Sequence, residues 1–570
     1  MILNVVYPQG WAKQSGGGNW DSGKGIATDN SGNSLVIGRF SGTAIFGTGE
    51  ANQTILVSSG GDDIFVAKYD PNGALVWAKK AGGTLWEYGY GIATDGSGNS
   101  LVTGYFGGTA TFGAGGGNQT TLTSLGDREI FVAKYDPSGT LVWAKKAGGT
   151  LADEGYSIAT DGSGNSLVTG CFYGTATFGT GEANQTILTS SGIHDIFVAK
   201  YDPNGALLWA KLAGGLSWDS GNGIVTDGSG NSFVVGYFCQ TATFGAGETN
   251  QTVLTSSGSD DIFVAKYDPN GALVWAKKAG GTKYDNGNGI VTDGSGNSYI
   301  IGIFEGTATF GAGEGNQTVL VSSGGFEIFV VKYDSNGALV WAKQAGGTSD
   351  DDGYGIATDG CSGNSLVTGY FREIVTFGVG EPNQTALTSS GGTDIFIAKY
   401  DPNGALMWAR KAGGPSDDNG NGIAMDGSGN SFVTGYFQQT ATFDGTTMVS
   451  SGSGDIFVAK YNQDGVLLIE LVQFASKVDR FTVLPAYPNP FNPSTTLTYG
   501  INADSKVMVQ IYNMTGQYIT TLVNKEQPQG WHSVQWDGTN NNNEYVPAGL
   551  YLSRITSGND VKTTKLMLLK

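Results

Sequence analysis

Charge, histidine and cysteine are all scarce in this chain. Only 14% of its 570 residues are Asp, Glu, Lys or Arg, histidine occurs twice and cysteine three times. Cys171, Cys239 and Cys361 are too few and too irregular for a disulfide framework or a zinc site. Cys171 stands where another copy of the same motif has Tyr105, and Cys239 where it has Gly107, so both read as drifted positions. His194 and His532 lack metal-ligand spacing, and no G-x-S-x-G nucleophile motif with triad partners accompanies them. Apolar runs stay short of the ~18–20 residues of a membrane span. Bases are outnumbered 31 to 50, giving a net charge of −19. Residues 481–570 hold six bases and five acids, so the negative charge lies wholly before them. Such a surface excludes a nucleic-acid footprint and suits an extracellular protein that attracts cations.

What is abundant is glycine, 94 residues without a collagen triplet, and a strict beat. Trp11, Trp77, Trp143, Trp209, Trp275, Trp341 and Trp408 recur at steps of 66 residues, the last step being 67 because Cys361 is an extra turn residue. Each lies in a near-copy of IFVAKYDPNGALVWAKKAGG followed by GYGIATDGSGNSLVTGYF. Within one copy, Gly91–Asp95, Ser100–Phe106, Ile130–Asp136 and Thr140–Lys146 alternate β-branched or aromatic with polar residues, the period of strands. Thr109–Phe112 and Thr120–Ser124 read as a looser hairpin on the edge of each unit. Asp-Pro-Asn-Gly and Gly-Ser-Gly-Asn supply the turns. Both the GIATD and the IFVAKY strand occur seven times. Sheets of about four strands bury both faces when packed radially, so the expected fold is all-β: a seven-bladed β-propeller over residues 1–471. The last unit ends in VLLIEL without its tryptophan, and the Trp11 strand is expected to complete it beside Ile456–Tyr461.

The motif IFVAKYDPNGALVWAKKAGG with GIATDGSGNSLVTGYF resembles the bacterial SBBP propeller repeat over about residues 10–470. That resemblance implies a secreted or surface protein and no single activity. After a linker at 472–480 the composition changes, and residues 481–570 read as a small Ig-like β-sandwich. YPNPFNPST (Tyr487, Pro488, Asn489, Pro490, Phe491, Asn492, Pro493 and beyond), IYNMTGQ and WDGTNNNNEYVPAGLY resemble the type A sorting domain of type IX secretion, and the Ig-like domain of flagellar hook-capping proteins. The resemblance implies recognition by secretion and sorting machinery and a secreted or outer-membrane-surface location. Such cargo normally begins with a signal peptide. MILNVVYPQG is too short for one, so the N-terminus is expected to be incomplete or misannotated.

Candidate binding residues come from comparing the seven copies. Four residues before each GIATD strand stands an acid: Asp21, Glu87, Asp153, Asp219, Asp285, Asp351 and Asp418. The favoured reading is a cap on each loop, the alternative a cation- or polyol-binding ring at a channel mouth. A second set, Asp29 through Asp426, ends the same strand beside Gly-Ser-Gly-Asn and reads as turn chemistry. The position before the first set varies: Trp20, Trp86, Ala152, Trp218, Tyr284, Asp350, Asp417. Aromatic faces stack on sugar rings and carboxylates accept hydroxyl hydrogen bonds. Trp20, Trp86, Trp218 and Tyr284 with Asp21, Glu87, Asp219 and Asp285 are therefore the candidate glycan-binding residues, against the alternative of packing between loops. NQT at Asn52, Asn118, Asn184, Asn250, Asn316 and Asn383 matches a glycosylation sequon but reads better as a hairpin turn. No catalytic or metal-binding residue is nominated, and no cofactor is expected, with Ca2+ the alternative. The leading function is a monomeric, non-enzymatic binding or adhesion propeller whose ligand is an extracellular glycan or protein. The alternatives are a secreted glycan hydrolase or lyase, which needs two carboxylates in different environments, and a structural surface-layer protein.

Overall fold

The computed structural model describes residues 10–359, 362–465, 481–483, 486, 489, 491, 494–542, 544–558 and 560–569. Two compact bodies divide the chain, one over Pro8–Leu468 and the other over Ile469–Lys570. The expected linker at 472–480 lies outside the described residues.

In the first body every repeat is a set of antiparallel strands. In the first copy Ser22–Thr28 pairs with Ser34–Phe46, which pairs with Thr54–Tyr69, which pairs with Leu75–Gly83. The buried strand IFVAKY is covered on both faces, which is why it reads as a nearly unbroken apolar run rather than as an alternation. The expected hairpin pairs as its sequence suggested, Thr109 opposite Thr123 and Phe112 opposite Thr120, and in two copies it stands as a separate pair of strands. In five copies it continues the second and third strands, as in Ser100–Phe112 and Thr120–Tyr135, past a bulge between Gly107 and Thr109. Its outer arm then pairs with the last strand of the preceding repeat, Gly82 with Thr111 and Gly83 with Ala110. Repeats are thereby stitched into sheets of 12 and 16 strands.

The innermost strands touch in succession, and the last of them, Asn419–Met425, lies against the first, Ser22–Thr28. Threonine hydroxyls link them. Thr94 Oγ1 donates to Thr28 O at 2.8 Å, Thr160 to Thr94 O at 2.8 Å, Thr226 to Thr160 O at 2.7 Å, Thr292 to Thr226 O at 3.0 Å, Thr358 to Thr292 O at 3.2 Å, and Thr28 to Met425 O at 2.7 Å. The N-terminal strand Trp11–Gly17 pairs with Asp455–Tyr461, with Trp11 opposite Lys460 and Ser15 opposite Ile456, as its sequence suggested.

The tryptophans join each repeat to the next. Trp77 Nε1 donates to Pro137 O at 3.1 Å, and its ring covers Gly139, whose φ of +78° suits glycine. Trp11 does the same across the junction, donating to Pro71 O at 3.1 Å while its strand belongs to the sheet of Asp455–Tyr461. Trp275 and Trp408 have no such partner: Ser335 and Gln463 stand where the other turns have proline.

The C-terminal body has a three-stranded sheet (Thr482–Val483, Thr495–Ile501, Gly530–Trp536) and a four-stranded sheet (Tyr518–Gln527, Ser505–Asn513, Gly549–Ser557, Asp560–Leu568). Trp536, Phe491 and Leu497 sit in the core between them. No helix among the described residues is long and apolar enough to cross a membrane.

The inter-repeat tryptophan gives a stability prediction. Trp77→Ala is expected to cost about 3–5 kcal/mol. Trp77→Phe, which keeps most of the packing and loses the hydrogen bond, is expected to cost about 1 kcal/mol. Urea unfolding followed by tryptophan fluorescence checks this; an alanine variant within ~0.5 kcal/mol of the parent, the range of surface substitutions, contradicts it.

Candidate functional site

The seven acids that precede the inner strands are fully buried. Their oxygens face backbone amides, not a channel. Asp219 Oδ2 accepts from Gly215 N at 2.7 Å and its Oδ1 from Cys239 N at 3.1 Å. Asp21 accepts from Gly17 N and Ser41 N at 2.7 and 2.9 Å, Glu87 from Gly83 N at 2.9 Å, and Asp285 from Gly281 N at 2.6 Å. This is the capping arrangement, in which a side chain satisfies amides the turn leaves over. The turn aspartates behave likewise. Asp29 Oδ1 accepts from Ser31 N and Asn33 N, and its Oδ2 meets Lys68 Nζ at 2.8 Å. The sequon asparagines are turn residues too: Asn52 Nδ2 donates to Leu75 O at 3.1 Å, and the other five copies repeat the bond at 3.0–3.2 Å.

Each capping acid has a buried neighbour that sequence comparison overlooked: Asp455, Asp63, Glu129, Asp195, Asp261, Glu327 and Asp394 in turn. The two converge over a glycine. A Cβ on Gly214, whose φ is +145°, would lie 2.8 Å from Asp195 Oδ1 and 2.9 Å from Asp219 Oδ2. A lysine approaches the second acid in four repeats, Lys80, Lys146, Lys278 and Lys411 at 3.3, 2.9, 3.2 and 3.4 Å. Gln14, Leu212 and Gln344 take that position in the other three. Burial, reinforced by the neighbouring acid against the backbone hydrogen bonds, pushes the pKa of Asp21, Asp153, Asp219, Asp285, Asp351 and Asp418 up to about 7 and that of Glu87 up to about 8.

The loop position before these acids is where the copies diverge. Trp86, Trp218 and Tyr284 are 63%, 49% and 53% exposed. Trp20 is half-buried against Tyr436, ring centroids 4.9 Å apart. Trp218 stacks one face on His194 at 4.7 Å, and burial lowers the pKa of that histidine. Where the position is acidic it caps instead: Asp350 Oδ1 accepts from Phe326 N and Asp417 Oδ1 from Thr393 N.

A second variable position lies on the inner strands. Lys24, Tyr90, Tyr156, Asn222, Asn288, Tyr354 and Asn421 occupy one register position and line a cavity of about 170 Å³. Isoleucines two residues on in six of the seven repeats, Ile26, Ile92, Ile158, Ile290, Ile356 and Ile423, add to its lining. Around it, Arg39 lies 4.3 Å over the Tyr88 ring and pairs with Asp62 at 2.6 Å. Tyr88 stacks on Tyr105 at 4.9 Å, and Arg128 lies over Tyr105 and pairs with Glu154 at 2.8 Å. On another sector Tyr370 and Tyr354 donate to Asp352 at 2.7 and 3.4 Å. Variation at a fixed register position within an otherwise constant sentence was the available signal for this cup. Among the described residues, no group of three or more His, Cys, Asp or Glu is arranged to hold a metal ion.

In the C-terminal body, Asn489 of the proline-rich motif accepts from Met567 N at 2.7 Å and donates to Lys565 O at 2.8 Å. Phe491 is buried and exchanges backbone hydrogen bonds with Met567 and Leu569. These two residues tie the motif to the final strand, Phe491 from the core and Asn489 from the exposed surface. Tyr487, Pro488, Pro490, Asn492 and Pro493 lie outside the described residues.

The raised carboxyl pKa values set a pH dependence. A carboxyl that titrates near 7 when folded, against an ordinary 3.8, favours the fold in its protonated form. That contribution is intact below about pH 4, shrinks as pH rises through the interval, and is gone above about pH 7. The melting temperature is therefore expected to be higher at pH 5 than at pH 8 at constant ionic strength. Equal melting temperatures, or a higher one at pH 8, contradict the burial of uncompensated acid pairs.

Two families match parts of the chain: the FlgD Ig-like domain over residues 493–560, and the β-propeller repeat SBBP over residues 142–170 and 408–436. An uncharacterized WD repeat-containing protein of Acanthamoeba polyphaga mimivirus is 24% identical over 538 residues, 80% of this chain and 38% of the relative. The regulatory protein FlaEY of Caulobacter vibrioides is 25% identical over 362 residues, 59% of this chain and 35% of the relative. The chain thus spans little more than a third of the length of these curated relatives. A crystal structure of dimeric latent PorU from Porphyromonas gingivalis aligns with 99% of this chain and 34% of its own at 10% identity, with a TM-score of 0.14, too low to carry a structural argument. The chain is an all-β protein with internal β-propeller repeats and a C-terminal FlgD-like Ig domain.

Proposed function

We propose that this chain is an exported, non-enzymatic binding or adhesion protein that presents a glycan-binding face. The repeats form a seven-bladed β-propeller, completed by the N-terminal strand and followed by a C-terminal sorting domain. The cycle of inner strands and the threonine links support the propeller reading. The order of tail motifs, with the FlgD-like Ig domain, supports delivery to the cell surface by type IX secretion and contact with its sorting machinery.

The observation that carries the binding reading is the exposure of Trp86, Trp218 and Tyr284 at one loop position of a scaffold that is otherwise repetitive. Exposed aromatic faces fit sugar rings and cost solubility unless something covers them. The capping acids are withdrawn into hydrogen bonds with the backbone, so the proposed surface rests on the aromatics and not on Asp21, Glu87, Asp219 or Asp285 as direct ligands.

The full chain on a glycan array is expected to retain a defined set of glycans. Trp86→Ala combined with Trp218→Ala should weaken that retention by tenfold or more, about 1.4 kcal/mol or greater, with the melting temperature unchanged. Equal retention by the double variant contradicts the proposal. Turnover of a retained polysaccharide, abolished by changing a single carboxylate, replaces it with an enzyme.

A further inference from the structure

Among the residues lining the axial cup, Lys24 is the lone charged side chain. It makes no ion pair or hydrogen bond among the described residues. The copies of the repeat put tyrosine or asparagine at its position, so the lysine is not required to build a repeat. The side chain is half-buried, and burial, with a smaller push from the Arg39 guanidinium, draws its pKa down to about 8. An anion seated in the cup would give the ammonium the counter-ion it lacks.

The other walls say what kind of anion. Asn421 Nδ2 donates to Gly23 O at 2.7 Å and Asn288 Nδ2 to Gly353 O at 2.8 Å. Asn421 Nδ2 also approaches Ser22 Oγ at 3.4 Å, and Asn288 keeps a second amide hydrogen; the side-chain carbonyl oxygens of both are acceptors for hydroxyl groups. Asn421 belongs to the strand that lies directly against that of Lys24. Tyr90, Tyr156 and Tyr354 add flat aromatic walls. A volume of about 170 Å³ has room for one small molecule or one terminal residue of a longer one.

We propose that the axial cup is a binding site for a small hydroxylated carboxylate of the sugar-acid type, with Lys24 as the counter-ion to the carboxylate and Asn421 and Asn288 as acceptors for its hydroxyls. The site is separate from the exposed loop aromatics, so it stands or falls independently of the glycan-array result.

Titration calorimetry of the full chain with D-glucuronate, D-glucose and inorganic phosphate tests it. Saturable 1:1 binding of glucuronate is expected, with glucose and phosphate at least tenfold weaker. Lys24→Tyr installs the residue that three other repeats already carry, so the fold is kept. It should weaken glucuronate binding by about tenfold or more, the loss of one charge-assisted hydrogen bond. Asn421→Asp, which supplies an internal carboxylate beside Lys24, should abolish binding while raising the melting temperature. A free sugar acid and the end of an acidic polysaccharide share this chemistry: equal affinity for glucuronate and for a glucuronate-terminated oligosaccharide supports the cup reading a terminal residue. The proposal is overturned by glucuronate that does not bind, by phosphate that binds equally well, by Lys24→Tyr binding unchanged, or by an oligosaccharide that binds where the monosaccharide does not.

Discussion

The pairing of Trp11–Ser15 with Ile456–Lys460 is the contact on which the first body depends. Every other sheet of that body is built from consecutive stretches of chain and would form whether or not the array closed. This one joins residues about 440 positions apart, and its loop-closure entropy is recovered only if strand pairing and side-chain burial are good. The sequence supplies both. Ser15 is buried with its hydroxyl 2.9 Å from Tyr69 OH, and Trp11 reaches the Asp70–Gly73 turn of the first repeat. One short strand thus holds the last sheet with its backbone, and the first repeat with its side chains and with Gly16 and Gly17, which pair with Ile45 and Ala44. The inner strands touch in succession, and the side chains at one of their register positions share a cavity.

Charge is handled inside the repeats in an unusual way. Pairs of carboxylates are hidden from water at every junction, and only four of the seven are approached by a lysine. Buried ions are tolerated when their hydrogen-bonding capacity is filled, and here backbone amides of the adjacent turns fill most of it. Asp63 Oδ1, Asp195 Oδ1 and Asp455 Oδ1 remain without a partner, each beside another acid. A proton shared within the pair is the simplest relief, which is why the raised pKa values and the glycine that lets the two acids converge belong to one device.

The repeat architecture was legible because a tryptophan every 66 residues, flanked by the same turns, leaves little freedom for any other arrangement. The extent of the strands was less so. Gly107–Gly108 reads as a gap between two strands, whereas the chain accommodates it, and Cys239–Gln240 in another copy, as a bulge with Gly108 or Gln240 at positive φ and continues the strand. The acid ring was legible as a pattern, and its favoured reading as a cap matches the amides found around it. Asp63 and its equivalents escaped notice because they open the strongest strand of the repeat, where a carboxylate reads as a solvated edge. Lys24 was missed for a different reason. A comparison that looks for residues kept in every copy discards the position where the copies disagree, although side chains that build nothing in common are free to differ.

Native-state hydrogen exchange on the full chain tests the closure most directly. If Trp11–Gly17 completes the last sheet, the amides that pair with Asp455–Tyr461 must exchange at the same slow limit as those of Ile262–Tyr267 in the middle of the array, because both open only when the ring unfolds. Fast exchange of Trp11–Gly17 and Asp455–Tyr461, with protection retained in the central repeats, would mean that the ends are not joined, and the account of a shared axial cup would fail with them.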